Sequence, residues 1–384
     1  MYNRKTVFIA ACIGMLLFGI CMITLGSIAP DLKKKILLDD ISSGALFSIL
    51  PFGILTGSLL FGPFCDKFGY KLLLVLSAFL LFAGFEALAN VSSLGLLKVS
   101  IFLFGVAGGA INGATNAVVS DLSAQDKGAN LSLLGVCYAI GALGMPFILG
   151  LLKNIYHFEV IVTSVGVLTL AAGVFFMIIK FPPPKHSEGI SVSESLKLLK
   201  DSVLILIAFF LFFQSSFEGI IQNWTTSYLI SELSIQQNKA LFALTIFVSG
   251  MAGMRLLIGS VFRSIAPGKI LITSLGMILL ALLLLKIGNN FNTATIGLFI
   301  LGAGLAGNFP IMLGFVGDRF IKLSGTAFSI VFGIALIGNM LINYLMGIIA
   351  QNFGIQHLTT VAFTESVIMI ILTMIILKKI KNNK

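Results

Sequence analysis

The stretch FFQSSFEGIIQNWTTSYL, residues 212–229, sets Gln214, Glu218 and Gln222 four residues apart. In a helix that spacing stacks the three on one face. Asn112 with Asn116 and Asn339 with Asn343 repeat the spacing, and Asn308 adds a single amide. Carboxamides donate and accept hydrogen bonds together, which suits a ligand rich in hydroxyls. Burial disfavours the charged form of a carboxyl, so Glu218 could take up and release a proton. Trp224 offers a flat apolar face for a ring to stack on, with Tyr228 one turn later. Each of these has a plainer use as well. Polar side chains inside apolar helices also bond one helix to the next, and Trp224 and Tyr228 suit an interfacial aromatic belt. Three further ionisable residues, Glu86, Arg255 and Glu365, interrupt apolar runs. Glu86 and Glu365 lie towards run ends or peripheral positions, and Arg255 suits either a gate or ligand role or a reach to the headgroups.

Other chemistry is missing. No nucleophile–base constellation or phosphate-cradling loop is found, so an enzyme is not expected. His157, His186 and His357 are scattered, and Cys12, Cys21, Cys65 and Cys137 form no ligand cluster. Neither a metal nor a cofactor is expected.

The elements that must carry these residues are apolar. Of 384 residues, 58% are hydrophobic and only 10% charged, with a mean hydropathy of +1.06. A soluble domain is about one quarter charged. The chain therefore reads as an all-α membrane protein, built from spans of about 20 apolar residues. Twelve are expected, at 6–29, 43–64, 72–90, 94–119, 129–152, 158–180, 202–227, 239–262, 269–287, 293–316, 325–350 and 357–378. They are too long for barrel strands and lack period-two alternation. The first follows Arg4 and Lys5 and reads as a retained signal anchor rather than a leader cleaved after Ser27–Ala29.

The net charge of +10 follows the membrane topology. With the N-terminus inside, 17 of the 25 basic residues fall on the cytoplasmic side, seven fall outside, and Arg255 lies within a span. That excess puts both termini in the cytoplasm and removes the case for a nucleic-acid partner. The bilayer is the expected surround, and a monomer is expected.

Residues 181–201, FPPPKHSEGISVSESLKLLKD, differ from every other connection and read as a cytoplasmic linker. They divide the chain into an N-terminal six-helix bundle over 1–180 and a C-terminal one over 202–384. An offset of 197 residues aligns the halves, bringing Gly53 onto Gly250, Gly105 onto Gly302, Gly141 onto Gly338 and Asp121 onto Asp318. Six glycines coincide where chance gives about two. Parallel repeats of this kind suit two pseudo-symmetric bundles that rock about a site at the bilayer midplane.

Between spans two and three runs GPFCDKFGYK, residues 62–71. As a plain turn it needs only glycines to reverse the chain and charges to stay at the surface. Its spacing, however, resembles the signature loop of the major facilitator superfamily through Gly62, Asp66, Lys67, Gly69 and Lys71. Cys65 stands where a small residue is usual, and Tyr70 where a base is usual. The resemblance covers the whole chain and implies the major facilitator fold, with those five residues, Asp121, Asp318 and Arg319 serving the cytoplasmic gates. It implies that Asp66 braces the start of span eleven near Ser324–Thr326, where a helix N-terminus favours an anion.

Span seven, with Glu218, Trp224, Tyr228 and Leu229, is similar to the fucose/glucose–galactose permease branch. So is the stretch NAVVSDL…GANLSLLGVCYAIGALGMP of spans four and five. The likeness implies import of a monosaccharide or sugar derivative across a bacterial cytoplasmic (inner) membrane. Proton-coupled members carry acids in spans one and four. This chain has none in 6–29 and asparagines in the fourth, which leaves Glu218 as the proton carrier, with sodium or simple facilitated diffusion still open. A proton-driven drug antiporter is the alternative. GALGMPFILG, residues 141–150, nears the antiporter motif, but Met145 separates Gly144 from Pro146, and Ile101 stands where that motif's arginine would precede Gly105. A receptor on the same fold would need a large soluble appendage, and none is read.

Overall fold

The computed structural model describes residues 2–122, 127–183, 198–262, 264–288, 290–320 and 324–382. Most of the linker, 184–197, therefore lies outside the described residues, as do residues 321–323 and the side chains of Ser324–Thr326. Among the described residues the chain is helical throughout, and it divides into two compact units, Met1–Ser187 and Glu188–Lys384.

In the first unit, span one is the helix Arg4–Ile36, started by Asn3, whose side chain accepts from the Lys5 and Thr6 amides. Lys33, Lys34 and Lys35 sit in its last turn, where the helix dipole favours cations. Spans four, five and six are Leu94–Leu122, Lys127–Leu152 and Phe158–Ile178. In this unit the difference from the expected spans lies between two and three. They form a continuous helical assignment, Asp40–Asn90, of 51 residues. A straight helix of that length would measure about 76 Å, more than twice the hydrocarbon core. It does not run straight. Gly69 has φ 80° and ψ 164°, a region closed to side chains, and breaks the helix there. The two arms then return to the same part of span four. A Cβ on Gly53 would strike the Phe102 carbonyl oxygen, and one on Gly84 would strike the Phe104 ring. Among the described residues, eleven helical stretches are thus long and apolar enough to cross a membrane, and the break at Gly69 makes two spans of one of them.

In the second unit, spans seven to nine are Ser202–Leu233, Gln237–Ser260 and Pro267–Ile287. Span ten is broken into Phe291–Leu305 and Asn308–Arg319. Spans eleven and twelve are Ser324–Phe353 and Leu358–Asn382. The break in span ten has a local cause. Pro310 has no N–H for the Ala306 carbonyl, and its ring crowds that turn.

The repeat seen in the sequence recurs as packing. Gly53 abuts Phe102 O and Gly250 abuts Phe299 O, while Gly105 abuts Leu50 O and Gly302 abuts Phe247 O. Every partner is shifted by the same 197 residues as the glycine it touches. Spans two and four in one unit, and eight and ten in the other, therefore approach backbone to backbone through the same contacts. Gly141 against Leu16 O and Gly338 against Phe212 O give spans one–five and seven–eleven a similar crossing. Small residues allow helices this close where apolar burial gives little drive.

Candidate functional site

Span seven divides its polar residues among three faces. Ser215, Gly219 and Asn223 face span eleven. Asn339 donates to the Ser215 carbonyl at 2.9 Å, lies on Gly219, and accepts from Asn343 at 2.9 Å. Asn223 closes the row by donating to Asn343 at 3.0 Å. Ser216 faces span twelve and bonds Glu365. The third face holds Gln214, Glu218 and Gln222.

Gln214 is fully buried at the break in span ten. Its amide donates to the Leu305 carbonyl at 3.3 Å, and its oxygen accepts from Asn308 at 3.2 Å. The broken helix frees that carbonyl, and the side chain of span seven satisfies it. Asn308 Oδ1 has no partner. Glu218, one turn further, is half-buried and accepts from Gln222 at 3.0 Å. The positive charge of Arg255 on span eight acts on the same carboxylate. Trp224 is fully buried, so no ring face is open for stacking in this structure. Tyr228 is also buried and donates to the Leu285 carbonyl of span nine at 3.4 Å.

In the first unit, Asn112 and Asn116 are half-buried on span four. Asn116 donates to the Asn112 side-chain oxygen at 3.0 Å and lies 4.0 Å from the Met15 sulfur of span one.

Of the nine residues expected to meet ligand, Gln214, Asn308, Asn339 and Asn343 thus hold neighbouring helices together, and Trp224 is packed away. Glu218, Asn112 and Asn116 stay half-buried, and Gln222 is buried against Glu218. Arg255 on span eight is half-buried, and its charge reaches Glu218; in sequence its long side chain allowed either direction. The seam on span eleven did leave a signal: Ser215, Gly219 and Asn223 follow the same four-residue spacing, one position along from the polar stripe.

At the turn between spans two and three, Asp66 is half-buried, and Lys67 lies over the Phe68 ring at 5.1 Å. Tyr70 is buried and donates to Asp121 at 2.8 Å. Burial, then the Asp121 carboxylate, push the Tyr70 hydroxyl above its ordinary range, so a neutral donor stands where the family's loop has a base. Asp318, the repeat partner of Asp121, is exposed. The neighbouring Arg319 instead grips Asp201 through Nε, at 3.1 and 3.2 Å, and through an Nη at 2.7 Å. Asp201 also caps span seven by accepting from the Val203 and Leu204 amides, each at 2.9 Å. Burial works against its charge, but the Arg319 and amide hydrogen bonds outweigh it and hold the carboxyl below the usual aspartate range. Among the described residues no group of His, Cys, Asp and Glu is arranged to hold a metal.

Two repeated helical units with polar faces inside apolar spans define a polytopic membrane transport fold. The sequence profile of the Major Facilitator Superfamily matches residues 7–320, and the chain belongs to that superfamily. Among its relatives, the multidrug resistance protein MdtG of Proteus mirabilis (strain HI4320) is 24% identical over 328 residues, covering 82% of this chain and 80% of that protein. The glucose/mannose transporter GlcP of Bacillus subtilis (strain 168) is 24% identical over 348 residues, covering 86% and 84%. Among solved structures, a mutant of the nucleoside transporter NupG superposes with a TM-score of 0.81 at 15% identity, over 98% of this chain and 99% of that one. A D-xylose–proton symporter gives 0.80 at 14% identity, over 97% of each. At these identities the structures establish the fold.

Proposed function

We propose that this protein imports a monosaccharide or sugar derivative across a bacterial cytoplasmic membrane by alternating access, with a proton as the coupling ion. The observation that carries the reading is the Glu218–Gln222 pair. Glu218 is half-buried, Gln222 is buried against it, and the two bond within span seven, whereas Gln214, Ser215, Ser216 and Asn223 bond to neighbouring helices. A carboxyl paired with an amide can exchange a proton and meet hydroxyls. The Asn112–Asn116 pair presents a second amide face on the first unit. Sugar-transporting relatives support the reading, and the likeness of spans four, five and seven supports the fucose/glucose–galactose permease branch. Sodium is the alternative coupling ion. Gly62, Asp66, Lys67, Gly69, Lys71, Asp121, Asp318 and Arg319 would serve the cytoplasmic gates of a monomer.

Efflux of small hydrophobic compounds is the second reading, favoured by the likeness to MdtG and by the residue 141–150 stretch. Counterflow in proteoliposomes preloaded with single hexoses, deoxyhexoses, amino sugars and sugar acids separates the two. Exchange of one or a few sugars supports import of sugars. No exchange of any sugar by folded protein overturns it, and export of lipophilic cations becomes the assay.

A further inference from the structure

Arg255 lies within the helix Gln237–Ser260 and is neither fully buried nor fully exposed. A guanidinium keeps its charge and offers five N–H donors. Lys33, Lys35, Lys153 and Arg319 each meet an acidic side chain. Arg255, among the described residues, donates no hydrogen bond and closes no ion pair. Its charge nevertheless acts on Glu218 of span seven, which packs against span eight. One Glu218 oxygen already accepts from Gln222. A guanidinium without acceptors inside a span is costly and calls for an anion.

We propose that Arg255 docks the carboxylate of an anionic, hydroxyl-rich substrate, a sugar acid, beside Glu218 and Gln222 in the second unit. This rests on the sugar reading and narrows it. The planar guanidinium fork matches a carboxylate in two parallel hydrogen bonds. A single fixed cation balances one negative charge. A phosphate ester would bring a charge of about −2 next to Glu218, and an organic cation would be repelled by Arg255.

The arrangement also couples the substrate to a proton. A carboxylate arriving beside Glu218 disfavours the charged form of that acid, so anion and proton bind together, and each strengthens the other. The groups around Glu218 are few. Span eight brings Arg255. Span twelve brings Glu365, which bonds Ser216 on another face. Span eleven has no Asp, Glu, Lys, Arg or His, and its Tyr344 is exposed. Span ten has Asp318 and Arg319 at its cytoplasmic end, with Arg319 on Asp201. The short turn Ile355–His357 adds His357.

The test is counterflow of matched pairs, glucose with glucuronate and galactose with galacturonate, by the full-length protein in proteoliposomes. Net proton uptake on adding each sugar is followed in weak buffer. The uronate is expected to exchange about tenfold faster than its hexose or better, with proton uptake that Glu218→Gln abolishes. Arg255→Met is expected to lose uronate exchange by about tenfold or more, and Arg255→Lys to keep part of it. Hexoses exchanging as fast as uronates, or an Arg255→Met protein that exchanges uronate normally, would overturn the proposal. The sugar reading would survive, and Arg255 would be a residue that reaches for the headgroups. Exchange of neither sugar would overturn both. If Arg255→Met does not fold, the wild-type comparison of hexose with uronate decides.

Discussion

Glu218 and Glu365 sit on spans seven and twelve, yet they are built for different work. Glu218 is half-buried beside Gln222 and under the influence of Arg255. Glu218→Gln is expected to keep counterflow but to lose accumulation above the outside concentration when a proton gradient is imposed. Normal accumulation by that variant would remove Glu218 from coupling. Glu365 is buried, and its second oxygen has no partner. Ser216 contacts both Glu365 and the Phe213 carbonyl, 3.0 Å away. One hydroxyl hydrogen cannot serve two acceptors, so both contacts are satisfied only when the carboxyl brings a hydrogen of its own. Glu365→Gln, which also offers a donor, is expected to shift stability by less than about 1 kcal/mol, whereas Glu365→Ala costs about 2–3 kcal/mol. Denaturant unfolding in detergent micelles would measure both. The sequence marked these acids as unusual because charge in a span is rare. It did not distinguish them, because periodicity assigns a residue to a helix face without saying which neighbour covers that face. Asn339 and Asn343 were legible as a pair for the same reason and illegible as a seam.

Among the elements, the spans were legible to within a few residues, and their breaks were legible as residues without their consequences. Gly69 is one glycine among 40, and only its backbone angles show that it folds a 51-residue helical run back on itself. Pro310 announces a bend, but the Leu305 carbonyl at the break and the Gln214 amide that meets it come from helices far apart in sequence. The start of span seven is fixed more simply, by Asp201 as cap and Arg319 as its counter-charge. Because the folded carboxyl sits below its ordinary value, its contribution is fully present above about pH 4 and is lost as pH falls through the folded value. Asp201→Ala is expected to cost about 1 kcal/mol at neutral pH and to flatten the loss of stability on acidification. Thermal unfolding at neutral and acidic pH would show either effect, and an unchanged acid limb would remove Asp201 from it.

For the whole molecule, composition alone announced a membrane protein, and the repeat announced two related units. From the sequence, seven lysines are expected on the outer side. In the first unit they are largely neutralised: Lys33 by Asp40, Lys153 by Asp31, and Lys35 by Glu159 at 3.4 Å. The sidedness rule counts Lys and Arg near span ends whatever acids they meet, so the expected orientation rests on the excess of 17 basic residues over seven. A fluorescent reporter fused after Lys384 is therefore expected to fold in the cytoplasm, and a phosphatase fused after Asn154 to be active outside. The reverse pattern would invert the topology.

The matched glycine contacts bear on heredity as much as on packing. Any missense change in a glycine codon adds at least a Cβ, and at Gly53, Gly105, Gly250 and Gly302 that atom meets a backbone carbonyl that cannot step aside. A map of tolerated substitutions along the gene should therefore show the same forbidden sites twice, in phase at 197 codons, a fossil of the duplication kept legible by steric exclusion.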